Sequence, residues 1–412
     1  MMNCTYPGKN CLPLVGLLAI LAAVATPALG GGFDLPDQDA FAIARGMAFV
    51  ATADNPSAIY YNPAGITQVQ GQSLRVGVYG LYFDTTYKSG DKTFNSDHNY
   101  HALPQVYYTY SPETLPLSFG LGLFAPFGLS SGWPQNTGFR TAGLEGDLSC
   151  YAMNPVVAWR ICTNLSVAAG LVVDYADIDL KQGLTPLPNN DLFRIKGDGW
   201  GVSYNLGVLY KPIEQVSLGA SLRGPTTIDI NGQTETQMAE VQPTPAYRSA
   251  QAQLPLPLKV ICGLSYRPTP KWNIEFDADY TDWGTLGTVT INQSAPVASL
   301  GIPQHVPLIF DWQSSWYYEL GATRYLTKSW SVSAGYIFNQ NSVPDAHYNP
   351  VVADMDRQFV SVGAGYKTKR FDFDIAYQFG FGPTRTVSGD GVADGRYEFM
   401  TQALALSVTT HF

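Results

Sequence analysis

Charge is what this 412-residue chain has least of: Lys, Arg, Asp and Glu together make up 14%, against about 25% in ordinary soluble domains. The formal net charge is -9, and no basic run longer than the four-residue link "KTKR" at 367–370 occurs. Phosphate binding needs a basic footprint, so nucleic acid is excluded as a partner. Long apolar runs are equally scarce. The only one, Leu12 to Leu29, follows Lys9 and ends in small residues at Ala28 and Gly30, the pattern of a secretory signal peptide over residues 1–30. Pro13 and Pro27 argue against an uncleaved anchor helix. Of five cysteines, Cys4 and Cys11 leave with that segment. Cys150 and Cys162, near opposite ends of one expected strand, stand too far apart for a disulfide at roughly 3.3 Å per residue. Free thiols without a metal role are expected of them and of Cys262.

Catalytic signals are thin as well. No zincin or phosphate-loop motif is present, and no nucleophile elbow is expected. His98 and His101 have a spacing that suits two metal ligands, but no Cys or further His lies nearby, so no metal or cofactor is expected. An outer-membrane hydrolase would need a serine beside a histidine on an adjoining strand, and His411 is the one candidate.

What the chain does have is alternation. In "WNIEFDADY", Trp272, Ile274, Phe276, Ala278 and Tyr280 share one face, and Asn273, Glu275, Asp277 and Asp279 share the other. "FDFDIAYQF" at 371–379 repeats the device. A soluble sandwich alternates too, so the connections decide. Short links such as "CTN", "TKS" and "KTKR" alternate with long polar loops, including 231–253 and 284–314. That asymmetry and an even count of about 14 strands describe an outer-membrane barrel. The expected class is all-β, a 14-stranded antiparallel transmembrane β-barrel over 72–412, with carboxylates such as Glu275 and Asp374 facing a wet interior. Trp272, Trp283, Trp316, Trp330 and Tyr366 suit interfacial girdles. The ending "ALALSVTTHF" resembles the signal by which barrel-assembly machinery recognises its clients, with Phe412 as the aromatic carboxy-terminal residue.

A barrel this wide leaks unless something fills it. Residues 31–71 precede the first strand and carry Phe33, Leu35, Phe41, Ile43, Met47, Phe49 and Ile59. Folded inside, they form an N-terminal hatch, with Arg45 available to pair with lumen carboxylates. Within the third expected strand, 117–129, Pro126 and Gly128 interrupt an apolar run, which marks an edge or bulge.

These pieces, "GGF" at 31–33, "ARG" around Arg45, "TADNPSAIYYNPAG" at 52–65, "GDGWGVSYNLGVLYKP" at 197–212, the stretch 254–283 and Phe412, resemble the FadL/TodX family of outer-membrane hydrophobic-compound transporters. The resemblance spans the mature chain. It implies passive uptake of fatty acids or aromatic hydrocarbons by a monomer embedded in the lipid and lipopolysaccharide of the outer membrane. It further implies lateral release through a kinked third strand, with Asn62, Pro63 and Ala64 beside the gap. Phe124, Pro126, Phe127 and Gly128 are then the opening, and the Asn62 amide is expected to bond exposed backbone at the kink. Two departures stand out. The family's basic ligand contacts fall near Asp177, with Lys181 close by, and near Thr290, which favours a neutral ligand. The loop at 182–193 is short, which leaves ligand entry to the loops at 231–253 and 284–314, with Trp133 and Phe139 nearby. A surface-receptor barrel and a polar porin are the alternatives.

Overall fold

The computed structural model describes residues 31–97, 99–389 and 391–412; the signal segment 1–30 lies outside them. Alternating residues make extended chain, and extended chain with one apolar face needs a partner on each edge. The solution is a closed antiparallel barrel of 14 wall strands. They are β1 (Gly71–Ser89), β2 (Tyr100–Ser111), β3 (Leu117–Gly132), β4 (Glu145–Cys162), β5 (Leu165–Gln182) and β6 (Leu192–Ile213). β7 runs as Val216–Arg223 and Thr226–Met238, and β8 as Gln242–Leu256 and Lys259–Thr269. The circuit continues through β9 (Trp272–Thr281), β10 (Ser315–Tyr325), β11 (Trp330–Asn339), β12 (Arg357–Lys367), β13 (Phe371–Phe381) and β14 (Gly395–His411). β14 closes on β1 from Ser73 opposite His411 to Lys88 opposite Arg396.

The wall is inverted relative to a soluble protein. Trp200, Val202, Tyr204, Leu206 and Val208 of β6 are exposed on the outside, as are Ile274 and Phe276 of β9 and Leu404 and Leu406 of β14. Their polar neighbours Asn205, Asn273, Glu275 and Asp277 are buried inside. Such a surface is stable only against hydrocarbon. Trp272, Trp330 and Tyr366 lie on it, the last two with rings 4.6 Å apart. Trp283 does not: it is fully buried, because the chain leaves β9 at Asp282 and turns inward.

Two expected loops are ordered hairpins. Residues 231–253 belong to the upper arms of β7 and β8, paired from Thr226 opposite Leu256 to Met238 opposite Gln242. Their sequence reads as loop because the outward face beyond the membrane is Gln, Asn and Asp, while Ile228, Ile230, Ala250 and Ala252 point in. Both strands break at prolines, Pro225 and Pro257, which supply no ladder donor. Within 284–314, Thr288–Gln293 pairs with His305–Ile309.

Residues 31–69 run inside the wall, almost wholly buried, with two short helices, α1 (Ala40–Ala44) and α2 (Ala58–Tyr61), and a 3-10 turn at Pro63–Gln68. Asp39 caps α1 through Ala42 N.

Candidate functional site

The wall has one interruption that matters. β2 and β3 are paired only from Val106 opposite Leu123 to Tyr110 opposite Phe119. Beyond that, β3 shifts register against β4 between Phe124 and Phe127 and leaves β2 altogether. Pro126 has no N–H to give, and Gly128 leaves no side chain in the way. The freed backbone is taken up by the inner segment: Leu35 N donates to Pro126 O (2.9 Å), Gly128 N to Phe33 O (3.0 Å) and Gln38 Nε2 to Ala125 O (2.7 Å). At the far end Asp97 N donates to Gly132 O (2.8 Å) and closes the frame. The result is a window between Tyr100–Gln105 and Phe124–Ser131. It lies in the half of the wall remote from the short 112–116 turn, level with Tyr151, Tyr175 and Trp200; the last two rings are 4.9 Å apart.

Behind the window lies a cavity of about 280 Å³. Leu81, Phe83, Leu103, Phe127, Leu129 and Phe359 give it an apolar wall. A second cavity of about 390 Å³, lined by Ile178, Phe193, Ile195, Ile230, Leu254 and Leu308, lies under the outer hairpins. Phe33 and Leu129 line both. Phe33 is held by the ring edges of Trp283 (4.7 Å) and Phe127 (6.1 Å) and by Trp312 (5.5 Å), so one side chain of the inner segment joins Leu129, Leu148, Val351 and Val352 in the boundary between the two spaces.

Ionic contacts fasten that segment. Arg45 Nη2 lies 3.2 Å from Glu275 Oε2, both side chains fully buried. Glu275 also accepts from Ala51 N (2.7 Å) and Thr52 N (3.1 Å), and Asp277 accepts from Phe49 N and Val50 N (both 2.8 Å). Lys259 sits between Asp34 (2.6 Å) and Asp279 (2.9 Å), and Arg75 between Asp39 and Asp374. Buried charges persist only when paired and hydrogen-bonded in this way. Asp37, on the same arm, faces the inner cavity with Gln378 as hydrogen-bond donor (3.0 Å). Burial above all pushes its carboxyl up to about 6.

Phe124, Pro126, Phe127 and Gly128 therefore share the window. Asn62, Pro63 and Ala64 do not. Asn62 Nδ2 donates to Val50 O (2.8 Å) and Val208 O (2.9 Å), and its Oδ1 accepts from Ala64 N (3.2 Å), which puts the turn against β6. The residues just before it reach β3 instead: Tyr60 packs on Phe124 at 5.1 Å, and Ile59 covers Gly120 and Gly122. Trp133 and Phe139 are also misplaced as entry residues. Both are buried in the packing of the outer loops, ring on ring at 5.3 Å, with Trp133 Nε1 bonded to Pro350 O. Asp177 faces away from the lumen, since its neighbours Ala176 and Ile178 point in, and Lys181 is paired with Glu145 at 2.6 Å.

Among the histidines, His98 lies outside the described residues, and His101 stacks on Phe83 at 5.3 Å in the inner cavity. His411 bonds Ser73 Oγ through Nδ1 (2.9 Å) and Asp372 through Nε2 (3.2 Å). Ser73 is fully buried. Gly128-Leu129-Ser130-Ser131-Gly132 does have the spacing of a nucleophile elbow, contrary to expectation. It lies on extended β3 rather than on a strand-to-helix turn, and Ser130 donates to Asp147.

A barrel with a filled lumen and a broken third strand invites comparison. Residues 21–412 match the family model "Outer membrane protein transport protein (OMPP1/FadL/TodX)". The chain belongs to this family. Among curated relatives, the long-chain fatty acid transport protein of Escherichia coli O6:H1 is 22% identical, with 98% of each chain covered. Outer membrane protein P1 of Haemophilus influenzae is 23% identical over 88% of this chain and 89% of that one. Among solved structures, a Pseudomonas aeruginosa FadL homologue superposes with a TM-score of 0.81 at 19% identity, covering 93% of this chain and 100% of the other. The Pseudomonas putida toluene transporter TodX gives 0.73 at 16%, covering 92% and 99%. This OMPP1/FadL/TodX member is thus a multi-pass protein of the bacterial outer membrane.

Proposed function

We propose that this protein takes up small hydrophobic molecules passively and releases them sideways into the membrane. The single observation that carries this reading is the window in β3, backed by an apolar cavity and stitched to the inner segment rather than to β2. An apolar solute dissolves poorly in water and in the polysaccharide layer. The protein need supply only a sheltered apolar path: outer cavity, past Phe33, inner cavity, window. No bond is made or broken, so the protein is read as a channel and not an enzyme. The window lies level with the exposed rings of Tyr151 and Trp200, in the half of the wall nearer the long loops, and on this reading release is into the leaflet that carries lipopolysaccharide. A single copy suffices, because both cavities and the window lie within one wall. Phe412, 70% exposed at the barrel end, is the contact offered to the barrel-assembly machinery.

The test is Gly128→Trp. A Cβ at this position already comes within 2.7 Å of Leu35, and an indole fills the opening. Uptake of a hydrophobic substrate by cells should fall at least about tenfold, while the heat-modifiable gel migration of a folded barrel is retained. Unchanged uptake by a correctly inserted variant sinks the lateral route.

A further inference from the structure

Lysines and arginines lie scattered along this sequence, but closing the wall gathers five of them. Lys271 sits in the turn before β9, Arg324 lies at the end of β10, Lys328 sits in the β10–β11 turn, and Lys369 and Arg370 lie in the β12–β13 turn; all five are exposed. The strands between them are neighbours in register, with Trp272 opposite Arg324, Trp330 opposite Tyr366 and Tyr366 opposite Phe373. The five therefore make one arc, about 19 Å wide at four inter-strand spacings, along the end of the wall that carries the short turns. That end is the periplasmic one. Among the described residues none of the five lies within ion-pair distance of a carboxylate. At the other end Lys88, Lys181, Arg194 and Arg385 are matched to Glu398, Glu145, Asp179 and Asp345. Asp372, next to the last turn, faces the lumen, where Lys367 (3.7 Å) and His411 (3.2 Å) hold it.

The lipid side of the arc is aromatic. Trp272, Trp330, Tyr366 and Phe371 are exposed on the outer face, and rings so placed sit at the headgroup level of a membrane. Arg324 lies over the Trp272 ring (5.4 Å) and Arg370 over that of Phe371 (5.7 Å). A ring face orients a guanidinium and leaves its N–H edge free for a phosphate oxygen. The opposite half of the same rim differs. Its turns present Glu113 and Glu214, and the cations near them turn inward, Arg160 onto Thr67 O and Lys211 onto Gln68. We propose that the arc is a docking site for the phosphate groups of an anionic glycerophospholipid in the periplasmic leaflet. Charge complementarity selects this occupant: a zwitterionic headgroup brings an ammonium beside its phosphate, which an unpaired cationic arc disfavours. Lipopolysaccharide carries phosphate too, but it occupies the other leaflet. By strand count β10 stands across the barrel from β3, so a lipid held here anchors the wall opposite the window. The site is independent of the transport reading.

The test is native mass spectrometry of the purified full-length protein in detergent, titrated with equal amounts of phosphatidylglycerol and phosphatidylcholine. Wild type should carry at least about fivefold more phosphatidylglycerol. The quadruple variant Lys271→Gln, Arg324→Gln, Lys328→Gln, Arg370→Gln should bring the ratio near one. Lys88→Gln with Lys196→Gln, at the outer end, should leave it unchanged. Circular dichroism and heat-modifiable migration identify a variant that has lost its fold. The turn pair Lys271→Gln with Lys328→Gln, which disturbs neither guanidinium–ring contact, then serves in its place and should reduce the ratio about twofold. Equal binding of the two lipids by wild type overturns the assignment and leaves an acidic protein surface as the occupant to test. A preference that survives in the folded quadruple variant, or that is lost as fully in the outer-end variant, also overturns it.

Discussion

Asp37 shows how one residue couples the inner segment to pH. The residue is 9% exposed, faces the apolar inner cavity, feels the charges of Asp34 and Lys259, and has Gln378 as its hydrogen-bond donor. Burial raises it from 3.8 to about 6, and neither Gln378 nor Lys259 cancels that effect. Between those two values the folded chain holds a proton that the unfolded chain has released, so stability falls as pH rises through this interval. The whole effect is up to roughly 3 kcal/mol. Docking of residues 31–47 should therefore be firmer at pH 5 than at pH 7. Asp37→Asn, neutral at both, should be at least as well protected at pH 7 as wild type is at pH 5. Hydrogen exchange of this segment measures it; a variant with the same pH dependence as wild type disproves the assignment.

At the scale of elements, the inner arm and β3 behave as one piece, since Phe33, Leu35 and Gln38 supply the backbone partners that β2 does not. Phe33 is then both a packing group and a partition. Phe33→Ala should cost about 3–5 kcal/mol of local stability, because a buried ring is lost from between Trp283, Trp312 and Phe127. It should also join the two cavities. Uptake of a hydrophobic probe is expected to rise several-fold, and a fall in a folded variant would mean that Phe33 guides the ligand instead of blocking it. Much at this scale was legible beforehand. Period-two alternation located the wall strands, and Pro126 with Gly128 located the break, because both are local consequences of backbone chemistry. Three things were not. The β7–β8 hairpin reads as loop because a strand outside the membrane need not be apolar on its outer face. Asn62 marks a turn, but which strand a turn meets depends on the path of the whole inner segment, and here it meets β6. Arg223 carries no local pattern at all; its guanidinium lies over the rings of Tyr60 and Phe124, which are distant in sequence and adjacent only after folding.

At the scale of the molecule, the question is why 14 strands do not make a leak. The lumen wall carries Glu275, Asp277, Asp279, Glu319 and Asp374, all buried. In the intact protein the inner segment answers several of these charges with Arg45 and with four backbone N–H groups. If it were absent, the carboxylates would face water and one another, with Lys259, Arg75 and Arg223 on the wall to oppose them. A barrel of this size without filling leaves an aqueous passage, and a ring of carboxylates selects cations. Planar-bilayer recordings should therefore show little salt conductance for the intact protein. Deletion of residues 33–69 should give a steady conductance whose reversal potential in a potassium chloride gradient lies on the cation side. An anion-selective or closed deletion variant would show that the inner segment is not what fills the lumen. High salt conductance in the intact protein would instead mark it as a polar porin, for which two apolar cavities and a partition at Phe33 have no use.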